Sequence, residues 1–132
     1  MFLGTYELKF SGHGRVILPK KLRVNLEGNY LVLSKGFENC IWGFSKEDFE
    51  KLARKELKVS VTEEQGRFQR RFLFSSSEPV ELDNQGRFII TSALLDFASL
   101  KQPIIIGAGD HFEVWDKVRW ENHIKEIGGK YG

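Results

Sequence analysis

Phe10-Ser11-Gly12-His13-Gly14-Arg15-Val16-Ile17-Leu18 returns later in the chain as Leu82-Asp83-Asn84-Gln85-Gly86-Arg87-Phe88-Ile89-Ile90. The two strings align without a gap at an offset of 72 residues, and Leu22 falls on Leu94 at the same offset. Further along, Leu31-Val32-Leu33 matches Ile104-Ile105-Ile106 and Ile41-Trp42 matches Val114-Trp115, both at 73. Two copies of one unit is the economical reading of so long a match. A unit of ~45 residues buries too little surface to stand alone. The copies are therefore expected to share one core as a pseudo-two-fold pair.

Within the first copy, Gly14-Arg15 is a turn leading into a short apolar strand, Val16 to Leu18. Pro19 ends that strand because it has no N–H for a ladder, and it suits the first turn of a short helix read from Lys20 to Val24. Strands are expected over residues 29–34 and 38–44, followed by a helix capped by Ser45 with Phe49 and Leu52 on one face. The second copy repeats this order: strand 88–90, short helix 92–97, strands 104–106 and 112–115, and a last helix capped by Asp116. Between the copies, Thr62-Glu63-Glu64-Gln65 reads as a capping box. It opens a helix with Phe68 and Phe72 on one side and Arg67 and Arg71 on another, ended by Ser75-Ser76-Ser77 and Pro79. The organisation expected is a first unit over 5–50, a connecting helical segment over 51–76, a second unit over 77–122, and a helix end and tail over 123–132.

Composition is that of a soluble globular domain: 132 residues, 41% hydrophobic and 29% charged. No apolar run approaches the ~18–20 residues of a membrane span, and the first ten residues are too soon charged for a secretory signal. The single cysteine, Cys40, excludes an intramolecular disulfide and suits a reducing compartment, so a cytoplasmic protein is expected. Net charge is only +2, but it is unevenly spread. Between Glu7 and Glu27 lie Lys9, Arg15, Lys20, Lys21 and Arg23 with no acid, a local charge of +5. From Ser75 onward 9 acidic residues face 6 basic ones. The early part of the chain is thus suited to an anionic partner.

Taken alone, a five-cation stretch is more often solvated surface than a nucleic-acid site; the repeat match and the absence of acids reverse that weighting from Lys9 to Arg23. Arginine is the commonest reader of guanine in the major groove, while neighbouring lysines hold phosphates and set register. Arg15, after two glycines that let backbone approach DNA, fits the first role, and Lys9, Lys20, Lys21 and Arg23 fit the second. His13 reads equally as a phosphate contact or an exposed spectator. Arg87, close to Asp83, Asp96 and Glu81, reads equally as an ion-pair partner or a DNA reader. Arg67, Arg70 and Arg71 read as helix-surface or subunit-interface residues. Trp42, Trp115 and Trp120 read as core or interface aromatics, and Cys40 as a buried small hydrophobe. Eleven phenylalanines are generous for this length, so some, such as Phe68, Phe72 and Phe74, are expected to face a neighbouring copy.

Catalysis has little support. His13, His111 and His123 fall in different elements, and no Cys or carboxylate spacing resembles a metal cage, so neither metal nor cofactor is expected. There is no phosphate-cradling G-x-x-x-x-G-K-[ST] loop and no nucleophile elbow. Gly107-Ala108-Gly109 leads into a strand and reads as a turn.

Gly14-Arg15-Val16-Ile17-Leu18-Pro19-Lys20-Lys21-Leu22-Arg23 resembles the strand-and-short-helix signature of SpoVT-AbrB-type swapped-hairpin DNA-binding domains. Met1-Phe2-Leu3-Gly4, Gln69-Arg70-Arg71-Phe72-Leu73, Asp83-Asn84-Gln85-Gly86-Arg87 and Phe112-Glu113-Val114-Trp115-Asp116, in that order, resemble the MraZ family over nearly the whole chain. The resemblance implies a mixed α/β, mainly β fold, with two swapped-hairpin units packed as a pseudo-two-fold β-barrel bearing short peripheral helices. It implies a DNA-binding transcriptional regulator, usually a repressor of the division and cell-wall gene cluster that encodes it. Such proteins assemble into homo-oligomeric rings on tandem, short, G-rich promoter repeats, which places this one at the nucleoid. The DNA contacts implied are the Asp-x-x-x-Arg boxes, here Ser11 to Arg15 and Asp83 to Arg87. The first box departs from the pattern: Ser11 stands where the family has aspartate, and His13 where a lysine or other polar residue is common. Two alternatives remain, an oligomeric scaffold for an acidic protein or RNA, and an AbrB-like antitoxin.

Overall fold

The computed structural model describes residues 1–131. The chain runs β1 (Thr5–Glu7), β2 (Arg15–Ile17), α1 (Lys20–Arg23), β3 (Tyr30–Lys35), β4 (Ile41–Phe44), α2 (Lys46–Glu56) and α3 (Glu64–Ser76). It continues through β5 (Glu78–Glu81), β6 (Arg87–Ile89), α4 (Ser92–Ala98), β7 (Pro103–Gly107), β8 (Phe112–Asp116) and α5 (Lys117–Tyr131). Six strands form one antiparallel sheet in the order β1-β7-β8-β4-β3-β5, and β2 pairs with β6 in a separate two-stranded ribbon. The fold is mixed α/β and dominated by antiparallel sheet.

The expected closed barrel is not formed among the described residues. β1 and β5 stand at opposite edges of the six-stranded sheet with four strands between them, and the ribbon strands pair only with each other. The ladder therefore never returns on itself. Pro79 sits on edge strand β5, where a missing N–H costs no ladder bond on the open side.

The pairings link distant parts of the chain. Thr5 of β1 lies opposite Ile106 of β7, Val80 of β5 opposite Leu31 of β3, and Ile41 of β4 opposite Val114 of β8. In the ribbon, Val16 lies opposite Phe88, with Arg15 opposite Ile89 and Ile17 opposite Arg87. Two further hydrogen bonds frame it: Leu18 N–H donates to Gly86 O at 2.9 Å and Ile90 N–H to Gly14 O at 2.8 Å.

Val16 and Phe88 point into the main core, which Leu18, Ile90, Leu22 and Leu94 extend. Each such side chain contributes roughly 1.5–3 kcal/mol when fully withdrawn from water, so the ribbon is held chiefly by its inner face. β3 is buried from Leu31 to Ser34 because α2, α3 and α4 all pack on it. A strand covered on both faces is continuous rather than alternating in hydrophobicity, as Leu31-Val32-Leu33 is. A second cluster joins Cys40, Ile104 and Trp115 with Trp42 and Trp120, where α5 docks. Cys40 is buried, and burial, reinforced by the negative charges of Glu113 and Glu38, pushes its thiol pKa up.

Several local expectations hold. Ser45 Oγ accepts the Asp48 N–H at 3.1 Å and caps α2. Asp116 stands directly before α5, where the sequence places the start of the last helix. Phe68 and Phe72 stack with centroids 6.0 Å apart.

Others are corrected. Residues 38–40 are not strand: Phe37–Asn39 form a 3-10 turn in which Glu38 and Asn39 have φ of 53° and 57°. The turn is closed by Gly36 N–H on Cys40 O at 2.8 Å and held from outside by Arg119 on Asn39 O. The capping box at Thr62 does not form. Thr62 Oγ1 is taken by Ser60 Oγ at 2.7 Å, Glu63 occupies the cap position, and no side-chain cap bond is made. Arg67 instead fixes the start of α3 by donating to the carbonyls of Val61 and Thr62, both at 3.1 Å. Strands β1 and β5, absent from the sequence reading, complete the sheet.

Candidate nucleic-acid interface

In a strand successive side chains alternate between faces, so burial of Val16 and Phe88 turns Arg15, Ile17, Arg87 and Ile89 outward together. On that outer face Arg15 and Arg87 are diagonal neighbours across the two strands, a relation that places Cα atoms roughly 7–8 Å apart. Both arginines border one shallow depression with Glu81, Asp83 and Ile89. The hydrophobic anchor beneath and the charged face above are thus consequences of one register.

Each arginine leaves a tight turn of the same backbone pattern. Ser11 N–H donates to Arg15 O and Asp83 N–H to Arg87 O, both at 2.9 Å. The turns require glycine: Gly14 and Gly86 have φ of +72° and +83°, in the left-handed region that side chains with a Cβ avoid.

The side chains hold the arginines differently. Arg87 Nε donates to Asp83 Oδ2 at 2.6 Å, an ion pair, while Asp83 Oδ1 accepts the N–H groups of Gln85 and Arg87 at 2.9 Å each. The Arg87 N–H, then its guanidinium and the Gln85 N–H, hold the Asp83 carboxyl below its ordinary pKa. Arg15 has only neutral acceptors: Nε donates to Ser11 Oγ at 3.1 Å and Nη2 to Ser11 O at 2.7 Å.

The remaining residues singled out from the sequence separate into three groups. Lys20 and Lys21 lie exposed on α1, which follows β2 directly, and neither has an acidic partner among the described residues. His13 is exposed at the first turn with Nε2 3.3 Å from Ser92 Oγ, tying that turn to the start of α4. Arg23 is drawn inward: its guanidinium packs on Gly86, and its Nε is buried without a hydrogen-bond partner. Lys9 borders a different depression, with Lys101 and Lys117.

Sequence reasoning missed how the turns are braced. Leu95 packs on Gly14 as Arg23 packs on Gly86, and Ser92 meets His13. The repeat itself held the signal, since Arg23 and Leu95 are related by the same 72 residues as Gly14 and Gly86. Arg70 donates to the carbonyls of Leu57 and Val59 and, like Arg67, ties α3 to the segment before it. Among the described residues, no three His, Cys, Asp or Glu side chains are grouped to hold a metal ion, and no helix is long and apolar enough to cross a membrane.

Comparison with known proteins finds a match to the family model described as "MraZ protein, putative antitoxin-like" over residues 1–72 and again over 73–129. A transcriptional regulator MraZ of Lactobacillus helveticus is 38% identical over 132 residues, covering 99% of this chain and 92% of its own. One from Acetivibrio thermocellus is 38% identical over 93% of this chain and 86% of its own. A third, from Saccharopolyspora erythraea, is 37% identical over 96% and 88%.

Proposed function

The chain belongs to the MraZ family, and from that premise we propose a sequence-specific DNA-binding transcriptional regulator that reads duplex DNA with the outer face of the β2–β6 ribbon. The observation that carries the reading is the diagonal pair Arg15 and Arg87, set outward by the buried pair Val16 and Phe88. A two-stranded ribbon fits the major groove, and a bidentate arginine–guanine contact discriminates by roughly 1–3 kcal/mol. With its Nε engaged, each guanidinium still has donors left for a base edge. Lys20 and Lys21, on the helix that follows, supply phosphate contacts that set register without reading sequence. The relatives are named as regulators of transcription.

The finer reading follows the resemblance. The two units, 5–50 and 77–122 with 51–76 between them and 123–132 as helix end and tail, are related by a pseudo-two-fold through the ribbon. The reciprocal bonds from Leu18 to Gly86 and from Ile90 to Gly14 support this, since each partner is 72 residues from its counterpart. A few contacts per chain make weak, salt-sensitive binding, which tandem sites and a ring of subunits convert into useful affinity. The target proposed is a run of short G-rich repeats before the protein's own division and cell-wall cluster, repressed by a cytoplasmic, nucleoid-associated ring.

The test is fluorescence anisotropy with duplexes from the region upstream of its own gene, repeats intact or scrambled, over a salt series. Intact repeats are expected to bind more tightly, with the preference abolished by joint Arg15→Ala and Arg87→Ala substitution. Equal, steeply salt-dependent binding to both duplexes would leave a basic oligomer with general affinity for polyanions. A single-repeat duplex binding as tightly as an array at equal site concentration would remove the multivalent reading.

A further inference from the structure

We propose that the two arginine turns divide the work on DNA: Arg15 supplies uncompensated charge for the phosphates, and Arg87, clamped by Asp83, supplies base discrimination. The inference rests on the ribbon being the DNA-reading face and assigns unequal roles within it.

The asymmetry lies in the acceptors. The second turn is electrically closed: the Arg87 guanidinium and the Asp83 carboxylate are 2.6 Å apart, so the pair has no net charge. Side-chain exposure is 33% for Arg87 and 41% for Asp83, so a DNA backbone at this face meets the carboxylate as well as the guanidinium. A neutral pair gains little from a polyanion, and what remains to it is directional hydrogen bonding, which is the basis of base recognition. The same carboxylate pins the turn through two backbone N–H groups at 2.9 Å and leaves the end of the Arg87 fork in a set place. A pre-positioned planar donor pair loses less freedom on binding and tolerates a wrong base less well.

The first turn is electrically open. Ser11 offers a hydroxyl and a carbonyl, both neutral, so Arg15 keeps its full charge. Among the described residues no side chain accepts the backbone N–H of His13 or Arg15, in contrast to the two bonds at Asp83. Lys20 and Lys21 lie on the helix after the Arg15 strand, which the antiparallel pairing sets against the Arg87 turn, where Arg23 packs on Gly86. At the Arg15 turn stand their second-copy equivalents, Ser92 and Ala93, which carry no charge. The uncompensated charge of the first turn is therefore that of the Arg15 guanidinium itself, for which counterion release from DNA provides sequence-independent affinity.

Reciprocal exchange of the acceptors tests this. Ser11→Asp and Asp83→Ser proteins are titrated against intact repeat duplexes and duplexes with one guanine replaced, over a salt series. Ser11→Asp is expected to reduce the salt slope by about one per engaged subunit and weaken both duplexes alike, keeping their ratio. Asp83→Ser is expected to steepen the slope and reduce the ratio, by about tenfold for the loss of a good bidentate contact. Loss of the ratio in Ser11→Asp alone, or equal changes in the two variants, overturns the proposal. A second measurement needs no DNA: solvent exchange of the arginine Nε–H groups by nitrogen-15 NMR, slower at Arg87 than at Arg15. Equal exchange rates with preference for intact repeats retained would reject the division of roles while leaving the ribbon as the reading face. A wild-type protein indifferent to guanine replacement would sink both.

Discussion

Arg23 and Gly86, 63 residues apart, are in contact: a Cβ built on Gly86 would stand 2.5 Å from the Arg23 Cζ. The guanidinium of a residue in the basic stretch of the first copy thus forms the lid of the arginine turn in the second. Its Nε is buried with no hydrogen-bond partner. Leu95 covers Gly14 in the same manner with an apolar side chain. The comparison identifies Arg23 as a brace for the turn that carries Arg87.

Arg23→Leu installs the residue found at the equivalent position. Because it removes an unsatisfied buried N–H, which costs about 1–3 kcal/mol, stability is expected to hold or rise. The salt slope of DNA binding is expected to stay unchanged. Urea denaturation and anisotropy check the two halves, and a slope smaller by about one would make Arg23 a phosphate ligand instead.

Alanine at the two turn glycines is expected to separate by cost. Either substitution forces a Cβ into a left-handed conformation, a cost of roughly 1–2 kcal/mol. At Gly86 the new methyl meets the guanidinium of Arg23, which can move aside. At Gly14 it would lie 2.4 Å from the backbone oxygen of Ile90, which the ribbon holds in place. Gly14→Ala should cost about 1–3 kcal/mol more than Gly86→Ala, as overpacking does. Equal unfolding midpoints for the two variants would contradict this account of the ribbon's rigidity.

His111 provides a pH dependence remote from the ribbon. Its Nε2 lies 2.9 Å from Glu113 and its Nδ1 2.8 Å from Asp110, and the ring stacks on Phe44. Burial opposes the charged ring, but the hydrogen bonds to Glu113 and Asp110 outweigh it, so the folded pKa lies above the ordinary 6.5. The stabilisation is therefore complete below 6.5 and is lost as pH rises through the raised value. Glu113, also opposed by burial, is held below 4.5 by its bonds to His111 and Trp115, so its share is present above 4.5 and lost as acid protonates it. Thermal unfolding is expected to be most favourable to the fold between about pH 4.5 and 6.5, with the alkaline-side decline absent in His111→Gln. An unaltered decline in that variant would assign it to other groups.

Asp116 joins β8, α5 and the loop before β7. Its Oδ1 accepts the N–H groups of Lys101 and Gln102 at 3.0 Å each, and the residue is 8% exposed. Asp116→Ala leaves those donors unsatisfied and should cost about 1–3 kcal/mol, whereas Asp116→Asn keeps an oxygen acceptor and should cost less. Burial raises the carboxyl pKa, but the N–H groups of Gln102 and Lys101 outweigh it and set it below 3.8. Its stabilisation is accordingly present above 3.8 and fades as pH falls through the lowered value. Equal midpoints for the alanine and asparagine variants in urea would show that the oxygen is dispensable.

What the sequence determined by itself was whatever depends on neighbours in the chain. Turns set by Gly14 and Gly86, the helix capped by Ser45, the apolar strand of β3 and the arginine boxes were legible because their chemistry is contained within a few residues. The repeat made the two boxes equivalent candidates. Only the tertiary structure decided how they differ and what surrounds them. β1 and β5 are three and four residues long, too short for periodicity to register, and exist as strands because Ile106 and Leu31 lie opposite them from far along the chain. Thr62 lost its capping role to Ser60 and Arg67, a competition invisible to a local motif. The sheet stayed open because its edges end four strands apart, a matter of pairing order. Arg23 came to pack on Gly86, and Arg15 and Arg87 came to share one face, through contacts and pairings between distant segments. These depend on how the chain closes its long loops, and residue types at single positions do not specify that closure.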